Sequence, residues 1–498
     1  MACLFCLASS TVLASPQLAT GPDFAAIDAY VMARMKDLRI PGVAIGIVRG
    51  DQIVYLKGFG VADPSGRPVT PQTSFRLASV SKTITALAIM QLVETGGVEL
   101  DTAVHYYLPW FQVGVERSSP QDESSAITVR HLLYHTSGIP QSAGNDNFFN
   151  GDLSDAALEN NVRQLARVSL NRPVGTTYQY ANLNYDVLGL IVQAVSGQTY
   201  EAYIQEHIFT PLEMHRSFAS QAEAQGMAIG YRQWFGFPVP SSLPDDRATR
   251  PSSFLISSAE DLTHLLIAEL NGGRYGNNAV LSPEGIAATQ RPITPIGETD
   301  MYSGMGMDVG QVNGVYMAGK TGGTANYSAR IVLSPQDGWG VVVLANTFDI
   351  GLGDQFDTLA NGITAILVNG EEPTVPPAPI GGGNAMMKLI LAAVVIFQIF
   401  TLFRVRQTLQ SISRDRRWLA RHIGLPLGLD VTLALLLLVA APNFMSTPLR
   451  FLRFFAPDIF WLTFAVVVIP LGRDILKGLV ALNVLRTGQS VRTGFSIA

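Results

Sequence analysis

Ser79 and Lys82 stand three residues apart in RLASVSKTIT (76–85). Residues at that spacing share one face of a helix, whereas Ser81, next to the lysine, points about 100° away. A serine hydroxyl is a weak nucleophile until a base takes its proton. A lysine amine can be that base only if burial or a neighbouring cation brings its pKa down toward neutrality. The pairing suits an acyl-enzyme mechanism, with Ser79 at a helix start where free N–H groups favour developing negative charge. Ser-x-x-Lys alone is unspecific, since about two matches are expected by chance in a chain of this length. The lysine inventory sharpens it. Of 34 basic residues only six are lysines, none lies between 82 and 320, and only Lys82 has a serine three residues before it. Arginine cannot shed its proton in a protein, so a lysine kept in an arginine-rich chain hints at a site where an amine must do so.

Two further stretches supply what such a nucleophile needs. Lys320-Thr321-Gly322-Gly323 opens a strand-like run, and its glycines let backbone approach a ligand closely with N–H groups free for an oxyanion. Tyr180-Ala181-Asn182, within GTTYQYANLNYDVLG (175–189), puts a phenol and an amide at alternate positions, so both can reach one pocket from an extended or turning segment. His131 and His135, four apart in HLLYHTSG, have the spacing of a zinc pair on one helix face, but no third ligand is evident. Neither a metal nor a cofactor is expected. The sequence holds no Gly-x-Ser-x-Gly elbow, no His-Glu-x-x-His and no phosphate loop. Asp245 and Asp246, in SSLPDDRATRPSS, read as a solvated loop.

The elements that must hold these groups follow from patterning. VAIGIVRGDQIVYLKGFGVAD (43–63) reads as a hairpin around Arg49-Gly50-Asp51. KTITALAIMQLVETGG (82–97) has helical apolar spacing and stops at Gly96-Gly97. Residues 316–347 read as two strands joined by a turn at 335–338. Hairpins near both ends of the 22–370 region, with helices between, predict an α+β domain. Its one sheet would be built from the two ends, with helices inserted from the middle.

Composition divides the chain. Hydrophobic residues make up 48% and charged residues 15%, against about 25% charged in soluble chains, which points to lipid. A net charge of −5 gives no reason to expect nucleic acid. Both cysteines, Cys3 and Cys6, fall in ACLFCLASSTVLAS, which resembles a secretory leader within 1–21, although no basic residue precedes it. The rest of the chain therefore has no cysteine for a disulfide, metal site or thiol nucleophile. EEPTVPPAPIGGGN (371–384) reads as a linker. Beyond it, spans of a lipid bilayer are expected at about 386–403, 425–442 and 457–471. Arg404, Arg406, Arg414, Arg416, Arg417 and Arg421 would hold the first connecting loop in the cytoplasm. The 22–370 region and the loop bearing Arg450 and Arg453 would then lie outside, and the tail from 473 inside.

Taken in order, Ser79-x-x-Lys82, Tyr180-x-Asn182 and Lys320-Thr321-Gly322 resemble the serine β-lactamase and penicillin-binding-protein superfamily, with the middle tyrosine most like class C β-lactamases, DD-peptidases and related esterases. Flanking stretches such as ITVRHLLYHTSGIP (127–140) and YSGMGM (302–307) match too, so the resemblance covers about 25–365. It implies an antiparallel sheet flanked by helices plus a helical subdomain. It makes Ser79 the acylated nucleophile, and Lys82 and Tyr180 the proton-handling pair with the base unassigned. Asn182, Lys320, Thr321 and Gly322 become substrate-binding, and the N–H groups of Ser79 and Gly323 the oxyanion hole. It makes the segment holding His131 and His135 structural. The expected function is an extracytoplasmic, membrane-anchored serine hydrolase acting on cell-wall D-Ala-type peptides or β-lactams, because an ammonium at 320 favours a free carboxylate. The alternatives are an esterase or D-amino-acid amidase, or a β-lactam sensor. Only residues 473–498 follow the last expected span, so a sensor would need a partner.

Overall fold

The computed structural model describes residues 22–114, 123–144, 148–312, 314–370, 374, 377, 382–413, 415–441 and 448–487. The expected leader, with Cys3 and Cys6, and most of the expected linker lie outside the described residues.

Both ends of the first region build one antiparallel sheet of eight strands. Its order is Gln52–Gly60, Gly42–Arg49, Trp339–Ala345, Tyr327–Ser334, Val315–Thr324, Asp308–Val312, Met301–Ser303 and Thr294–Pro295. The hairpin expected at 43–63 is there. The stretch 316–347 holds three strands rather than two, because the chain reverses between Thr324 and Tyr327 as well as at 335–338. Only Asn326 hints at a turn between Thr324 and Tyr327, where neither glycine nor proline stands.

Strands Tyr327–Ser334 and Trp339–Ala345 are buried at every position, which explains the near-continuous apolar run of the second. Helices cover both faces. Phe24–Leu38, started by the Asp23 carboxylate accepting from the N–H groups of Ala25 and Ala26, packs with Gly353–Asn369 on one face. Ala259–Leu270 covers the other. Ser81–Glu94 packs against Asn182–Ser196 and is buried nearly all round, its polar Ser81, Lys82, Thr83 and Thr85 included.

Among the described residues beyond 384, three helices are long and apolar enough to cross a bilayer: Ala385–Gln410, Arg416–Ala440 and Pro457–Thr487. They are inside out relative to a soluble domain. Phe397, Phe400, Leu429 and Leu479 face outward, while Gln398 turns in to donate to the Val466 carbonyl. The third helix overruns the expected 457–471 and passes through Pro470 without a break. The charges read as a tail are tied into the bundle instead. Arg473 bonds Asp474 at 2.7 Å and Thr401 of the first helix at 3.0 Å, and reaches Asp430 of the second at 3.5 Å. Lys477 also bonds Asp474, at 2.8 Å.

The bundle is locked to the first region. Buried Asp458 accepts from Lys388 at 2.9 Å and from the Phe235 N–H at 2.8 Å. Phe455, at the end of the short helix Leu449–Phe455, packs among Phe148, Phe149 and Phe348.

Candidate active site

Local backbone geometry aims Ser79. Strand Ser74–Arg76, pinned to Ile256–Ser258, ends just before Ala78, whose φ of 48° is left-handed and unusual for a residue with a Cβ. A 3₁₀ turn over Ala78–Val80 follows, and the α-helix starts at Ser81. Ser79 thus sits on the turn before the helix, half-buried with one side open. No feature of the sequence signals the strained alanine.

Lys82 is completely buried behind it. Its Nζ lies 2.8 Å from Asn182 Oδ1, 2.8 Å from the Ser252 carbonyl and 3.2 Å from Ser79 Oγ. The first two are pure acceptors. A neutral amine has two N–H bonds and one lone pair. Donating to the two acceptors uses both N–H bonds and leaves the lone pair facing the Ser79 hydroxyl. Electrostatics agree: burial, then the charge of Lys320, holds the Lys82 amine well below the usual lysine range. Burial also pushes the Asp186 carboxyl up, so it offers less charge to keep Lys82 protonated.

Tyr180 Oη stands 2.7 Å from Ser79 Oγ on the other side. Burial pushes its phenol up, away from the phenolate. Ala181 is extended (φ −146°, ψ 129°), so Tyr180 and Asn182 reach the same pocket, and Asn182 begins the helix Asn182–Ser196. Buried His135 holds this corner. Its Nδ1 accepts from the Ala181 N–H at 3.3 Å and lies 3.0 Å from Asn184 Nδ2. Burial, then the charge of Lys320, keeps its imidazole neutral.

On the sheet side, Lys320 is only 5% exposed, and its Nζ contacts both Asp308 oxygens at 2.9 and 3.1 Å. The ammonium expected to await a substrate carboxylate already holds one. Gly322 closes against the Ser79 turn: a Cβ there would come within 2.3 Å of the Leu77 carbonyl oxygen and 2.9 Å of the Ser79 nitrogen. At Gly323 it would come within 2.3 Å of the Phe348 ring.

Thr321 departs from expectation. Strand alternation turns it to the opposite face, where its hydroxyl donates to Asp357 at 2.8 Å and accepts from Arg330. The histidine pair also fails as a helical pair. His131 Nδ1 accepts from Thr128 N–H at the start of Val129–Leu133, and His135 lies past that helix with a φ of 56°. Nor is Asp246 solvated: it is fully buried and accepts from the Phe149 and Ala248 N–H groups.

Ser79, Lys82, Tyr180, Asn182, Lys320 and Gly322 therefore come together around the Ser79 turn. His135, Asp308 and the Ser252 carbonyl join them without having been foreseen. An acidic residue 12 positions before Lys320 was visible in the sequence, but only the pairing of neighbouring strands shows that the two meet.

Comparison with known proteins gives the same picture. "Protein flp" of Staphylococcus aureus (strain MW2) is 30% identical over 327 residues, 64% of this chain. The chain thus spans 62% of that relative's length. "Esterase EstB" of Burkholderia gladioli is 34% identical over 231 residues, 44% of this chain and 57% of the relative. The octameric penicillin-binding protein homologue from Pyrococcus abyssi superposes with a TM-score of 0.61 at 26% identity, covering 74% of this chain and 81% of the homologue. A class C β-lactamase shares the fold, with a TM-score of 0.57 at 21% identity over 69% of this chain and 96% of its own. The Beta-lactamase family model matches residues 27–363, the region that builds the sheet and every group around Ser79, so the chain belongs to the β-lactamase family.

Proposed function

We propose that this chain is a membrane-anchored serine hydrolase that forms an acyl-enzyme at Ser79 from ester or amide substrates that need no free carboxylate. The observation that carries it is the surroundings of Lys82, which take both N–H bonds and leave a lone pair on Ser79. Lys82 then removes the Ser79 proton as Oγ attacks the acyl carbon. The oxyanion forms by the N–H groups of Ser79 and Gly323, each worth about 2.7–4 kcal/mol in comparable sites. As the bond to the leaving group breaks, Tyr180 gives its proton to that group and is recharged from Lys82. Water attacking the ester of Ser79 retraces the path and frees the serine.

The bidentate Lys320–Asp308 pair favours the ester or amide reading over carboxylate-bearing peptides and lactams, because a carboxylate at Lys320 must first displace Asp308. The similarity to an esterase points the same way. Three apolar helices locked to the first region support anchoring. The arginines between the first two support an inward loop and an outward Ser79.

The test uses the full chain in detergent, with short nitrophenyl esters, a chromogenic cephalosporin and a fluorescent penicillin, beside Ser79→Ala. Ester turnover that exceeds cephalosporin turnover and vanishes in the variant is expected. Faster cephalosporin turnover would restore the carboxylate reading, and a stable penicillin label without turnover would favour a sensor. For orientation, single cysteines placed in 404–421 after replacement of Cys3 and Cys6 should be shielded from outside reagents.

A further inference from the structure

Three arginines gather where the bundle meets the first region, and none has a carboxylate partner among the described residues. Arg450 donates to the Phe149 carbonyl at 3.2 Å. Arg453 offers its own carbonyl to Arg232 at 3.3 Å. Arg232 Nε is buried with no hydrogen-bond partner, and the charge of Arg453 works against that of Arg232. By contrast, Arg76, Arg247, Arg250 and Arg473 each face an acid. Arg232 is half-buried and Arg450 and Arg453 lie exposed beside it, so together they form a positive patch that an anion can join.

The space beside the cluster has the complementary character. A cavity of about 720 Å3 opens between Pro244 and two of the apolar helices. Leu438, Leu449, Phe454, Phe460 and Phe464 line it, and Arg450 and Arg453 are the only charged residues among its described lining. Its size is within the ~300–1,000 Å3 of ligand sites. A hydrophobic slot running along candidate spans, with guanidinium groups at one end, matches a molecule with an anionic head and an apolar tail.

We propose that this cavity binds an anionic glycerophospholipid, its phosphate against Arg450 and Arg453 and an acyl chain along Leu438, Phe460 and Phe464. The site is separate from the Ser79 pocket and does not depend on the hydrolase reading.

Native mass spectrometry of the full chain, released from detergent with phosphatidylglycerol or phosphatidylcholine, tests it. At about thirtyfold for two arginines near a head group, phosphatidylglycerol should be retained far more. Arg450→Gln with Arg453→Gln should bring the two lipids level, whereas Arg450→Lys with Arg453→Lys should keep most of the preference. Arg416→Gln with Arg417→Gln, at the other end of the bundle, should leave it unchanged. Circular dichroism and thermal unfolding show that each variant is folded. Equal retention of both lipids by the unaltered chain overturns the site, as does a preference surviving the Arg450/Arg453 glutamine variant. Displacement of phosphatidylglycerol by millimolar inorganic phosphate would also overturn it, since the tail would then contribute nothing.

Discussion

Replacing Lys320 and Asp308 one at a time should move the acid limb of the pH–rate profile in opposite directions. The rate rises with pH as Lys82 loses its proton, and kcat/KM reports that step in the free enzyme. Lys320 lowers the Lys82 pKa and Asp308 raises it. Both amines lie over the Tyr180 ring, their nitrogens 4.8 and 5.4 Å from its centroid. At an effective dielectric of about 20, a unit charge no more than ~10 Å away is worth at least about 1.6 kcal/mol, a little over one pH unit. Lys320→Met removes the cation, so the limb should move up by about one unit. Asp308→Asn removes the anion that masks it, so the limb should move down, by roughly half a unit to one unit because Asp308 acts from behind Lys320. Stopped-flow hydrolysis of a nitrophenyl ester by the full chain between pH 4 and 9 gives both midpoints. Shifts in the same direction, or none in either variant, would refute Lys82 as the titrating base.

Gly322→Ala drives a Cβ into the Leu77 carbonyl and the Ser79 nitrogen. It should cost about 1–3 kcal/mol in thermal unfolding, with a loss of kcat beyond any change in KM. Phe455→Ala removes the ring that joins the bundle to Phe148, Phe149 and Phe348, and should cost about 3–5 kcal/mol in the same assay. Burial raises the Glu269 carboxyl to about 7, and Gln290 donates to it. A raised folded pKa means that the folded state binds more protons than the unfolded one. Stability from this residue should therefore fall as pH climbs from about 4.5 to 7. Glu269→Gln should accordingly stabilise the chain at pH 8 by roughly 2–3 kcal/mol and have little effect at pH 4, as read by denaturant titration at both.

Local rules made much of the site legible. Three-residue helical spacing set Lys82 behind Ser79, and two-residue alternation in an extended segment set Tyr180 beside Asn182. The same alternation should have turned Thr321 away from Lys320, and the structure does so. What stayed hidden comes from contacts between distant parts of the chain. Ser252 meets Lys82 across 170 residues, His135 meets Ala181 across 46, and Asp308 meets Lys320 through adjacent strands. The polar string around Asp246 suggested solvent, yet N–H groups from Phe149 and Ala248 satisfy that carboxylate in the interior. One sheet built from both ends of the region followed from the hairpins, whereas its strands at Thr294–Pro295, Met301–Ser303 and Asp308–Val312 did not. The third apolar helix was cut short because its charges find their partners on other helices.

The most direct measurement is rapid-quench mass spectrometry of the full chain mixed with a nitrophenyl ester near neutral pH. The account predicts one acyl group on the peptide containing Ser79 and a matching burst of nitrophenolate, with both lost in Lys82→Met. An acyl group on any other residue, or an undiminished burst without the lysine, would contradict it.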